Sequence, residues 1–357
     1  MSGDDLAIII VSYNVRELLR RCLVSLDAAL AQSTRRARII VVDNASEDGS
    51  PVMVAAEFPH VQLLALEQNL GFAGGNNVGL RWLGENRESR TKNQEPKTKS
   101  QEPGNQGTRE PGNHELISDH QPPTTGRRPP ITPAYVLLLN PDTEVVGAAL
   151  DQLIDYLEAH PEAVVVGPQL RYGDGTLQSS RRRFPTIGAL FWESTLLELW
   201  WPTNPWAQRY RYADCPADGP QMVDWLVGAA LLVRWSAIAR AGLLDEGFFM
   251  YSEELEWQER LGRHGAIVHL PDALIVHYEG KSSEQHLARR HINFSRSKLR
   301  YAQRRWGRAV AWPLRGFLLV TYGVQLLIEA GKWLLGHKRA LRRQRIVQYR
   351  TILRSGL

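Results

Sequence analysis

Asp142 is the first of several polar residues whose type and position could do chemistry. It lies in NPDTEV, directly after the apolar run AYVLLL. A carboxylate just beyond the end of a buried strand is well placed to hold a divalent cation against a diphosphate. The same Asn-Pro-Asp sequence is also typical of a turn that caps the following helix. Asp142 is therefore a candidate metal ligand with a structural alternative.

Three glutamates crowd the first turn of a predicted helix in FFMYSEELEWQERLGRHG. They are Glu253, Glu254 and Glu256. Acidic side chains at a helix start complement the helix dipole, which is a sufficient structural explanation. Carboxylates this close also repel one another, and a carboxylate with a raised pKa suits a general base. Their position beside the aromatic FFMY favours a catalytic site.

A loop rich in glycine and asparagine, NLGFAGGNNVGL (69–80), stands at a strand-to-helix junction. Glycines allow a ligand to approach the backbone closely, and a helix N-terminus attracts phosphate. The loop matches neither the dinucleotide fingerprint nor the phosphate-binding loop that ends in G-K-[ST], which argues against a nicotinamide dehydrogenase or an ATPase. The structural alternative is a tight helix entry in which the glycines serve packing.

His277 ends the predicted strand LIVHY and precedes EGKSS. A single histidine on an apolar strand is more often structural than a ligand. Taken together with Asp142, it becomes a candidate second metal ligand.

The elements that must position these residues form a β-α-β-α-β-α pattern. Strands that are apolar throughout, separated by segments of helix length, predict an α/β fold with a mostly parallel sheet covered on both faces. Ligands of such sheets bind at the carboxyl ends of the strands. The predicted strands are 6–11, 37–42, 61–66, 134–139 and 163–168.

Residues 84–133 interrupt the pattern. They hold eight of the 20 prolines and only three aliphatic residues, and the triplets QEP, QEP and REP resemble a decayed repeat. Such a segment cannot build a core and predicts a disordered insertion. A regulatory or partner-binding loop is the functional alternative.

Seven blocks in one order give the chain its resemblance to a known family. The chain resembles glycosyltransferase family 2, the inverting enzymes of GT-A fold, and within it the rhamnosyltransferase-like branch that extends cell-surface polysaccharides. The resemblance covers about residues 5–305 apart from the insertion. The blocks are IIIVSYN, VVDNASEDGS, NLGFAGGNNVGL, LLLNPDTEV, GPQLRYGDGTLQSSRRRFPT, VDWLVGAALLVRWSAIARAGLLDEGFFMYSEELEWQERLGRHG and VHYEGKSS.

The resemblance implies roles for the residues of these blocks. The nucleotide base and ribose are held in this family by residues that match Ser12, Tyr13, Asn14, Asp43 and Asn44. The family's glycine-asparagine loop lies along the nucleotide sugar, which points to Asn69, Gly71, Phe72, Gly74 and Asn77. Asn140 is also implied to bind the nucleotide sugar. The acceptor side is implied for Asp224, Trp225 and Gly228.

The metal and base motifs depart from the family pattern. The D-x-D motif reads Asn140-Pro141-Asp142 here, so Asp142 carries most of the contact with Mg²⁺ or Mn²⁺, and His277 matches the family's late histidine near the metal. The usual Glu-Asp pair reads Glu253-Glu254. Glu254 takes the base position with one extra methylene, and Glu253 is a substitute.

The resemblance implies an inverting, metal-dependent transfer of a sugar from a nucleotide diphosphate to a glycan hydroxyl. Rhamnose from dTDP-L-rhamnose is the favoured donor, and a polyprenyl-diphosphate-linked glycan the favoured acceptor. A sugar-nucleotide pyrophosphorylase would need a G-x-G-T-R loop where VSYNVREL stands. A catalytically degenerate membrane scaffold in polysaccharide assembly is the remaining alternative, because both motifs depart from pattern.

Two cysteines, Cys22 and Cys215, exclude a disulfide framework and any multi-cysteine metal site. A reducing cytosol fits this usage. The N-terminus MSGDDLAIIIVSYN lacks the basic flank and long apolar core of a signal peptide, so we expect no export.

Charge divides the chain into a predicted catalytic domain, 1–280, and a basic helical region, 281–357. The basic region holds 18 Lys and Arg against two Asp and Glu.

The basic region contains an apolar stretch that is short for a membrane-spanning helix. Only 13 uncharged residues, 316–328, separate Arg315 from Glu329, fewer than the roughly 20 of a spanning helix. Basic and aromatic flanks, with the tryptophan-rich segment 191–206, predict peripheral binding to an anionic membrane at the inner face of the cell membrane. Nucleic acid is less favoured, since no recognised motif accompanies the charge. A helical hairpin packed on the catalytic domain is the structural alternative.

Overall fold

A computed structural model describes residues 6–94, 133–193, 201, 203–278 and 287–357 of the chain. The strands in these residues are β1 (Leu6–Ser12), β2 (Ala37–Asp43), β3 (Gln62–Ala65), β4 (Tyr135–Leu139), β5 (Thr143–Val145), β6 (Ala163–Arg171), β7 (Leu177–Gln178), β8 (Arg181–Arg182), β9 (Gln221–Met222), β10 (Trp225–Leu226), β11 (Ala230–Arg234) and β12 (Ala266–His277).

Helices alternate with the strands and then fill the C-terminal region. In the described residues they are α1 (Arg16–Gln32), α2 (Ser50–Glu57), α3 (Gly71–Gln94), α4 (Ala149–Ala159), α5 (Ile187–Trp192), α6 (Pro205–Tyr210), α7 (Trp235–Ala241), α8 (Glu253–Leu261), α9 (Leu287–Trp306), α10 (Arg308–Leu334) and α11 (Arg339–Arg354).

The central sheet runs in the order β3-β2-β1-β4-β11-β6-β12-β5. The pairs β1–β2, β2–β3, β1–β4 and β6–β12 are parallel, whereas β11 is antiparallel to both β4 and β6. The predicted mostly parallel α/β sheet is therefore confirmed. Because β1, β2 and β4 are parallel neighbours, the residues that follow them open at one edge of the sheet.

Both faces of the sheet are covered, which explains why its strands are apolar throughout. On one face Ile8 and Ile10 lie in the cluster that includes Leu19, Leu23 and Leu26 of α1. On the other face Ile9 lies in the cluster that includes Leu80 of α3 and Trp257 of α8. Alternate residues of one strand thus enter two separate cores.

Helix α3 approaches β1 closely because of its glycines. A Cβ atom at Gly75 would lie 2.6 Å from Cγ1 of Val11, and one at Gly79 would lie 2.8 Å from Cγ2 of Ile9. These two glycines of the NLGFAGGNNVGL loop therefore serve packing, which was the structural alternative for that segment. The helix continues to Gln94, so helical structure extends past residue 84, where the sequence predicted the insertion to begin. Residues 95–132 of that insertion lie outside the described residues.

The C-terminal helices pack against one another and against the catalytic domain. Arg300 of α9 forms an ion pair with Asp245 at 3.0 Å, and the Ser297 hydroxyl donates to the carbonyl of Met250 at 2.8 Å. Between α10 and α11, Arg342 and Glu329 form a buried ion pair at 2.7 Å. The predicted basic helical region is thus packed on the catalytic domain.

Helix α10 is longer than the sequence indicated. The apolar stretch 316–328 is part of a 27-residue helix with a mean hydropathy of 1.3 in its most apolar window, of which 22% is buried. By length and composition this helix could cross a membrane, so the expectation that it is too short is wrong. The 3.6-residue pattern simply continues through Arg315 and Glu329.

The tryptophan-rich segment lies beside α10. Ring centroids of Trp192, Trp201 and Trp206 are 5.1–6.5 Å apart, and Phe191 contacts Phe317 at 5.2 Å. Trp200 of this segment lies outside the described residues.

The contact between α3 and β1 predicts that Gly75→Ala destabilises the protein. A methyl group forced against Val11 should lower the free energy of unfolding by about 1–3 kcal/mol. Urea denaturation of both proteins measures the difference. Gly84→Ala is the matched control, because that glycine lies in the same helix with nothing within 4 Å of its added Cβ, and alanine is the better helix former. Equal stability of Gly75→Ala and wild type would contradict the close packing.

Candidate active site

A cavity of about 340 Å³ opens at the edge of the sheet where β1, β2 and β4 end. It collects residues from the loops that follow these strands, from the start of α8, from the end of β12 and from α9. Many residues that the sequence predicted for the site line this cavity: Tyr13, Asn44, Asn69, Phe72, Asn140, Asp142, Gly228, Glu253, Glu254 and His277.

Asp142 and His277 meet in one wall of the cavity. Their side chains are 6% and 7% exposed, and Nε2 of His277 lies 3.3 Å from Oδ1 of Asp142. The same Nε2 lies 3.4 Å from the amide of Asn140. β5 and β12 are antiparallel partners, with Thr143 opposite His277, and this pairing brings the two predicted ligands together across 135 residues of sequence.

Gln178 orients the histidine ring from behind. Its Oε1 atom lies 3.1 Å from Nδ1 of His277, and both side chains are buried. An amide oxygen in this position accepts a hydrogen bond from Nδ1–H, which leaves the Nε2 lone pair facing Asp142 and the cavity. A hydrogen bond of this kind is typical of the residues that support a metal-ligating histidine.

The donor atoms of this wall fit a hard divalent cation that takes its remaining ligands from substrate and water. The carboxylate of Asp142, the Nε2 atom of His277 and the amide oxygen of Asn140 are available. Among the described residues, no group of three or more Asp, Glu, His or Cys is arranged so that it could hold a metal ion by itself. Mg²⁺ and Mn²⁺ commonly take one or two protein carboxylates and complete their shell with water and substrate phosphates.

Glu253 and Glu254 are held in the cavity by a strained turn. Tyr251 and Ser252 have φ angles of 75° and 64°, in the left-handed region that non-glycine residues rarely adopt. Oε2 of Glu253 and Oε2 of Glu254 are both shielded from solvent and have no hydrogen-bond partner among the described residues. Unpaired buried carboxyl oxygens of this kind often mark a functional site.

Burial is the main cause of altered acidity at this turn. It raises the pKa of Glu253 well above the ordinary value, and the charge of Glu254 adds to the rise. Burial also raises the pKa of Glu254, against hydrogen bonds from backbone N–H groups at the start of α8 and the charge of Arg182. Two adjacent carboxyl groups in this setting do not both ionise easily, so the pair holds a proton to higher pH than an ordinary glutamate does.

Gly228 makes room for Glu254. A Cβ atom at Gly228 would lie 3.2 Å from Cγ of Glu254, closer than an ordinary contact. The other two residues implied for the acceptor side lie away from the cavity. Asp224 accepts the backbone N–H of Phe184 at 2.7 Å, and the Trp225 indole donates to the carbonyl of Arg183 at 3.0 Å. Their contacts hold the 181–184 segment in place, and the implied role of both residues on the acceptor side stays a prediction.

The residues implied for the nucleotide base lie at the ends of β1 and β2. Asp43 is buried, and its Oδ2 accepts the backbone N–H of Ser46 at 2.8 Å while its Oδ1 has no partner among the described residues. Burial raises the pKa of this carboxyl. The hydroxyl of Ser12, its partner in the strand register, is also buried and unpaired. Neither side chain is among those that line the main cavity, and the implied contact of both with the nucleotide stays a prediction.

Two asparagines tie these strand ends to their neighbours. The Asn44 side chain donates to the carbonyl of Gly71 at 2.9 Å, which anchors the glycine-asparagine loop to β2. Asn14 has a φ of 53°, and its Oδ1 accepts the N–H of Glu47 at 2.8 Å. It lines a separate surface depression with Arg16 and does not line the main cavity.

The glycine-asparagine loop enters the site only with its first residues. Gly71 has a φ of +75°, and a Cβ atom there would lie 2.0 Å from the carbonyl oxygen of Phe249, so the loop and the 249–252 turn touch directly. Asn77 is buried elsewhere, and its amide bonds the backbone N–H and carbonyl of Leu244 at 3.0 and 2.9 Å. Gly74 packs on Leu70. Neither Asn77 nor Gly74 lines the cavity, and the implied contact of these two residues with the nucleotide sugar stays a prediction.

Sequence reasoning missed the wall supplied by α9. Arg289, Arg290 and Asn293 line the cavity, as do Met250 and Phe249 of the turn before α8. The only sequence feature that pointed to this wall was the excess of basic residues after residue 280, which the sequence analysis interpreted as a membrane-binding feature.

With this geometry in view, the chain can be compared with known proteins. The family model for Glycosyl transferase family 2 matches residues 7–84. The N-acetylglucosaminyl-diphospho-decaprenol L-rhamnosyltransferase of Mycobacterium tuberculosis H37Rv is 31% identical over 326 residues, which cover 88% of this chain and 91% of that protein.

Two further proteins are similar at lower levels. Rhamnosyltransferase WbbL of Escherichia coli K12 is 28% identical over 173 residues, 48% of this chain and 62% of that protein. The mannosyltransferase PcManGT from Pyrobaculum calidifontis, solved with GDP-Man and Mn²⁺, aligns with a TM-score of 0.46 at 14% identity, covering 99% of this chain and 87% of that one.

The family match falls on the part of the chain that forms β1, β2, β3 and the start of α3. The sheet has the α/β architecture of mostly parallel strands between helices that the GT-A prediction required. The identity to the mycobacterial relative extends over nearly all of both chains. The chain therefore belongs to glycosyltransferase family 2, in its rhamnosyltransferase-like branch.

Proposed function

We propose that this glycosyltransferase moves L-rhamnose from dTDP-L-rhamnose to a hydroxyl of a polyprenyl-diphosphate-linked glycan, with inversion at the anomeric carbon. One observation carries the proposal: a single cavity holds the buried carboxyl group of Glu254 together with the Asp142–His277 pair. The name of the mycobacterial relative, a rhamnosyltransferase acting on an N-acetylglucosaminyl-diphospho-decaprenol, supports the acceptor class. The dTDP donor and the inversion rest on the family resemblance.

Glu254 acts as the general base. Its carboxylate accepts the proton of the acceptor hydroxyl while the hydroxyl oxygen attacks the anomeric carbon. The bond between that carbon and the diphosphate oxygen breaks, and the nucleotide diphosphate leaves from the opposite face with the bonding electrons. One bond forms as the other breaks, so the configuration inverts and no enzyme nucleophile is required.

Glu254 is preferred to Glu253 as the base because a nearby cation favours its charged form. The charge of Arg182 and the backbone N–H groups at the start of α8 act against the rise that burial causes in the pKa of Glu254, whereas the charge of Glu254 raises the pKa of Glu253 further. A protonated Glu253 also removes the repulsion that a second charge would place beside the base.

The side of the cavity formed by Asp142, His277 and Asn140 faces the departing diphosphate. Asp142, His277 and the amide of Asn140 would hold Mg²⁺ or Mn²⁺, which when bound neutralises the negative charge that grows on the leaving group. Gln178 keeps the His277 ring in the tautomer that presents Nε2 to the cavity. Asp43 and Ser12 would hold the thymine and ribose through their unpaired polar atoms.

We further propose that the enzyme works at the inner face of the cell membrane. Helix α10 leaves an apolar stripe exposed, formed by Val320 (65%), Val324 (43%) and Leu327 (73%) at intervals of four and three residues, with Trp312 (64%) eight residues before Val320. Basic residues of α9 and α11 flank it, which complements anionic lipid headgroups. This stripe would lie in the interface, where the lipid-linked acceptor resides.

Replacing Glu254 tests the base. Glu254→Gln keeps the size of the side chain and removes its basicity, so the rate of rhamnose transfer to a polyprenyl-diphospho-N-acetylglucosamine acceptor should fall by about 10²–10⁴-fold. Because catalysis needs the carboxylate, wild-type kcat/KM should fall with falling pH through a value above the ordinary 4.5. Radiolabelled transfer measured across pH gives both results.

Two further variants complete that test. Glu259→Gln is the control, since this residue lies on α8 away from the cavity and pairs with Arg305. Its rate should match wild type. Loss of activity in Glu253→Gln with retention in Glu254→Gln would move the base to Glu253. An intact wild-type protein that transfers no sugar from any nucleotide donor would favour the scaffold alternative.

Metal binding should depend on both Asp142 and Gln178. Asp142→Asn should abolish Mn²⁺ binding in the presence of dTDP, and Gln178→Leu should weaken it about 10–100-fold, because the supporting hydrogen bond to His277 is lost. Isothermal titration calorimetry measures the affinities. Asp151→Asn is the control, since that carboxylate bonds Ser33 outside the cavity at 2.5 Å. Unchanged Mn²⁺ affinity in Asp142→Asn would remove this residue from the metal site.

Membrane association should require the stripe on α10. The full-length protein should sediment with vesicles that contain phosphatidylglycerol, and the double change Val320→Glu, Leu327→Glu should weaken binding at least about tenfold. Val52→Glu is the control, because Val52 is 74% exposed on the catalytic domain. Alkaline carbonate should release the wild-type protein from membranes, whereas resistance to it would show that α10 spans the bilayer.

A further inference from the structure

Two arginines of helix α9 line the active-site cavity, and no other lysine or arginine among the described residues does so. They are Arg289, which is exposed, and Arg290, which is half-buried. Asn293 lies four residues after the first and three after the second, so the three side chains share one side of the helix. They line the same cavity as Glu254 and the Asp142–His277 pair.

These two cations have no ion-pair partner among the described residues. Neither arginine forms an ion pair or a hydrogen bond with a residue that the structure describes, whereas Arg300 and Arg304 on the same helix both bind Asp245. The charge of Arg290 is nevertheless felt nearby, since it adds to the effect of burial in lowering the pKa of His291. Paired arginines facing a cavity are suited to phosphate groups, which they bind through several N–H donors.

The position of α9 decides which phosphate they face. The donor diphosphate is already assigned to Asp142 and His277, which belong to the sheet. Helix α9, which carries the arginines, instead packs beside the middle of α10, because Tyr322 bonds His291 Nδ1 at 3.2 Å and the Ser295 hydroxyl at 3.3 Å. Tyr322 is buried, while Val320 and Val324 on the same stretch of α10 are exposed members of the apolar stripe.

We propose that Arg289 and Arg290, with Asn293, form the binding site for the diphosphate of the lipid-linked acceptor. The inference rests on the proposed function. A lipid diphosphate has an apolar chain next to its charge, and this protein presents an apolar stripe and a pair of arginines on adjoining helices. With the diphosphate held there, the glycan reaches into the cavity towards Glu254. The site would select acceptors that carry a diphosphate.

The test compares acceptors with and without a diphosphate. In the double variant Arg289→Gln, Arg290→Gln, the KM for polyprenyl-diphospho-N-acetylglucosamine should rise about 10–100-fold, the expected loss for charge-assisted hydrogen bonds. The KM for dTDP-rhamnose should stay within about twofold of wild type. With octyl N-acetylglucosaminide, which has no phosphate, the wild type and the double variant should have similar KM values for the acceptor.

Controls separate this site from a general effect of charge. Arg296→Gln removes an exposed arginine of α9 that does not line the cavity, and it should leave the acceptor KM unchanged. The change of both arginines to lysine should restore part of the affinity, since it keeps the charge and loses the paired N–H geometry.

Several results would overturn the inference. A rise in the KM for dTDP-rhamnose alone would assign the arginines to the donor diphosphate. Equal losses with the phosphate-free acceptor would give them a structural role. A loss of binding to phosphatidylglycerol vesicles that accounts for the whole change in KM would assign them to membrane lipids. If wild type transfers rhamnose and the double variant keeps its acceptor KM, this inference fails while the proposed function stands.

Discussion

The turn at Tyr251 and Ser252 is the constraint on which the proposed active site depends. Two consecutive non-glycine residues in the left-handed region cost free energy, on the order of 1–3 kcal/mol each, and persist only where surrounding contacts hold them. Here those contacts are identifiable. The carbonyl of Phe249 accepts the N–H of Phe72 at 2.9 Å, and the carbonyl of Met250 accepts the Ser297 hydroxyl at 2.8 Å. The turn directs the next two carboxyl groups into the cavity and away from water.

These contacts make the active site depend on three parts of the chain that are distant in sequence. The glycine-asparagine loop supports the turn from one side, and Gly71 permits this approach because any side chain there would collide with Phe249. Helix α9 supports it from the other side through Ser297 and through the ring of Phe294, whose centroid lies 5.6 Å from that of Tyr251. The C-terminal region is therefore a wall of the cavity as well as a basic surface.

Much of the fold and the centre of the site could be predicted from sequence. Apolar strands with helix-length spacing determine a parallel sheet, and the ends of parallel strands converge, so Asp142 and the residues after β1 and β2 were expected at one edge. The roles of Asn77, Asp224 and Trp225 could not be predicted, because each is set by hydrogen bonds to backbone atoms that only the folded chain brings near. Arg289 and Arg290 were missed because net charge says how many cations a segment has and not which of them face a cavity.

The most direct test of this account is a crystal structure of the protein with dTDP and Mn²⁺, with manganese located by its anomalous scattering. The account predicts one manganese peak bound by Asp142 and His277, with the diphosphate against it, the thymine beside Asp43, and Glu254 facing the vacant sugar site. A manganese peak and diphosphate bound at another surface, with Asp142 and His277 still paired to each other, would contradict it.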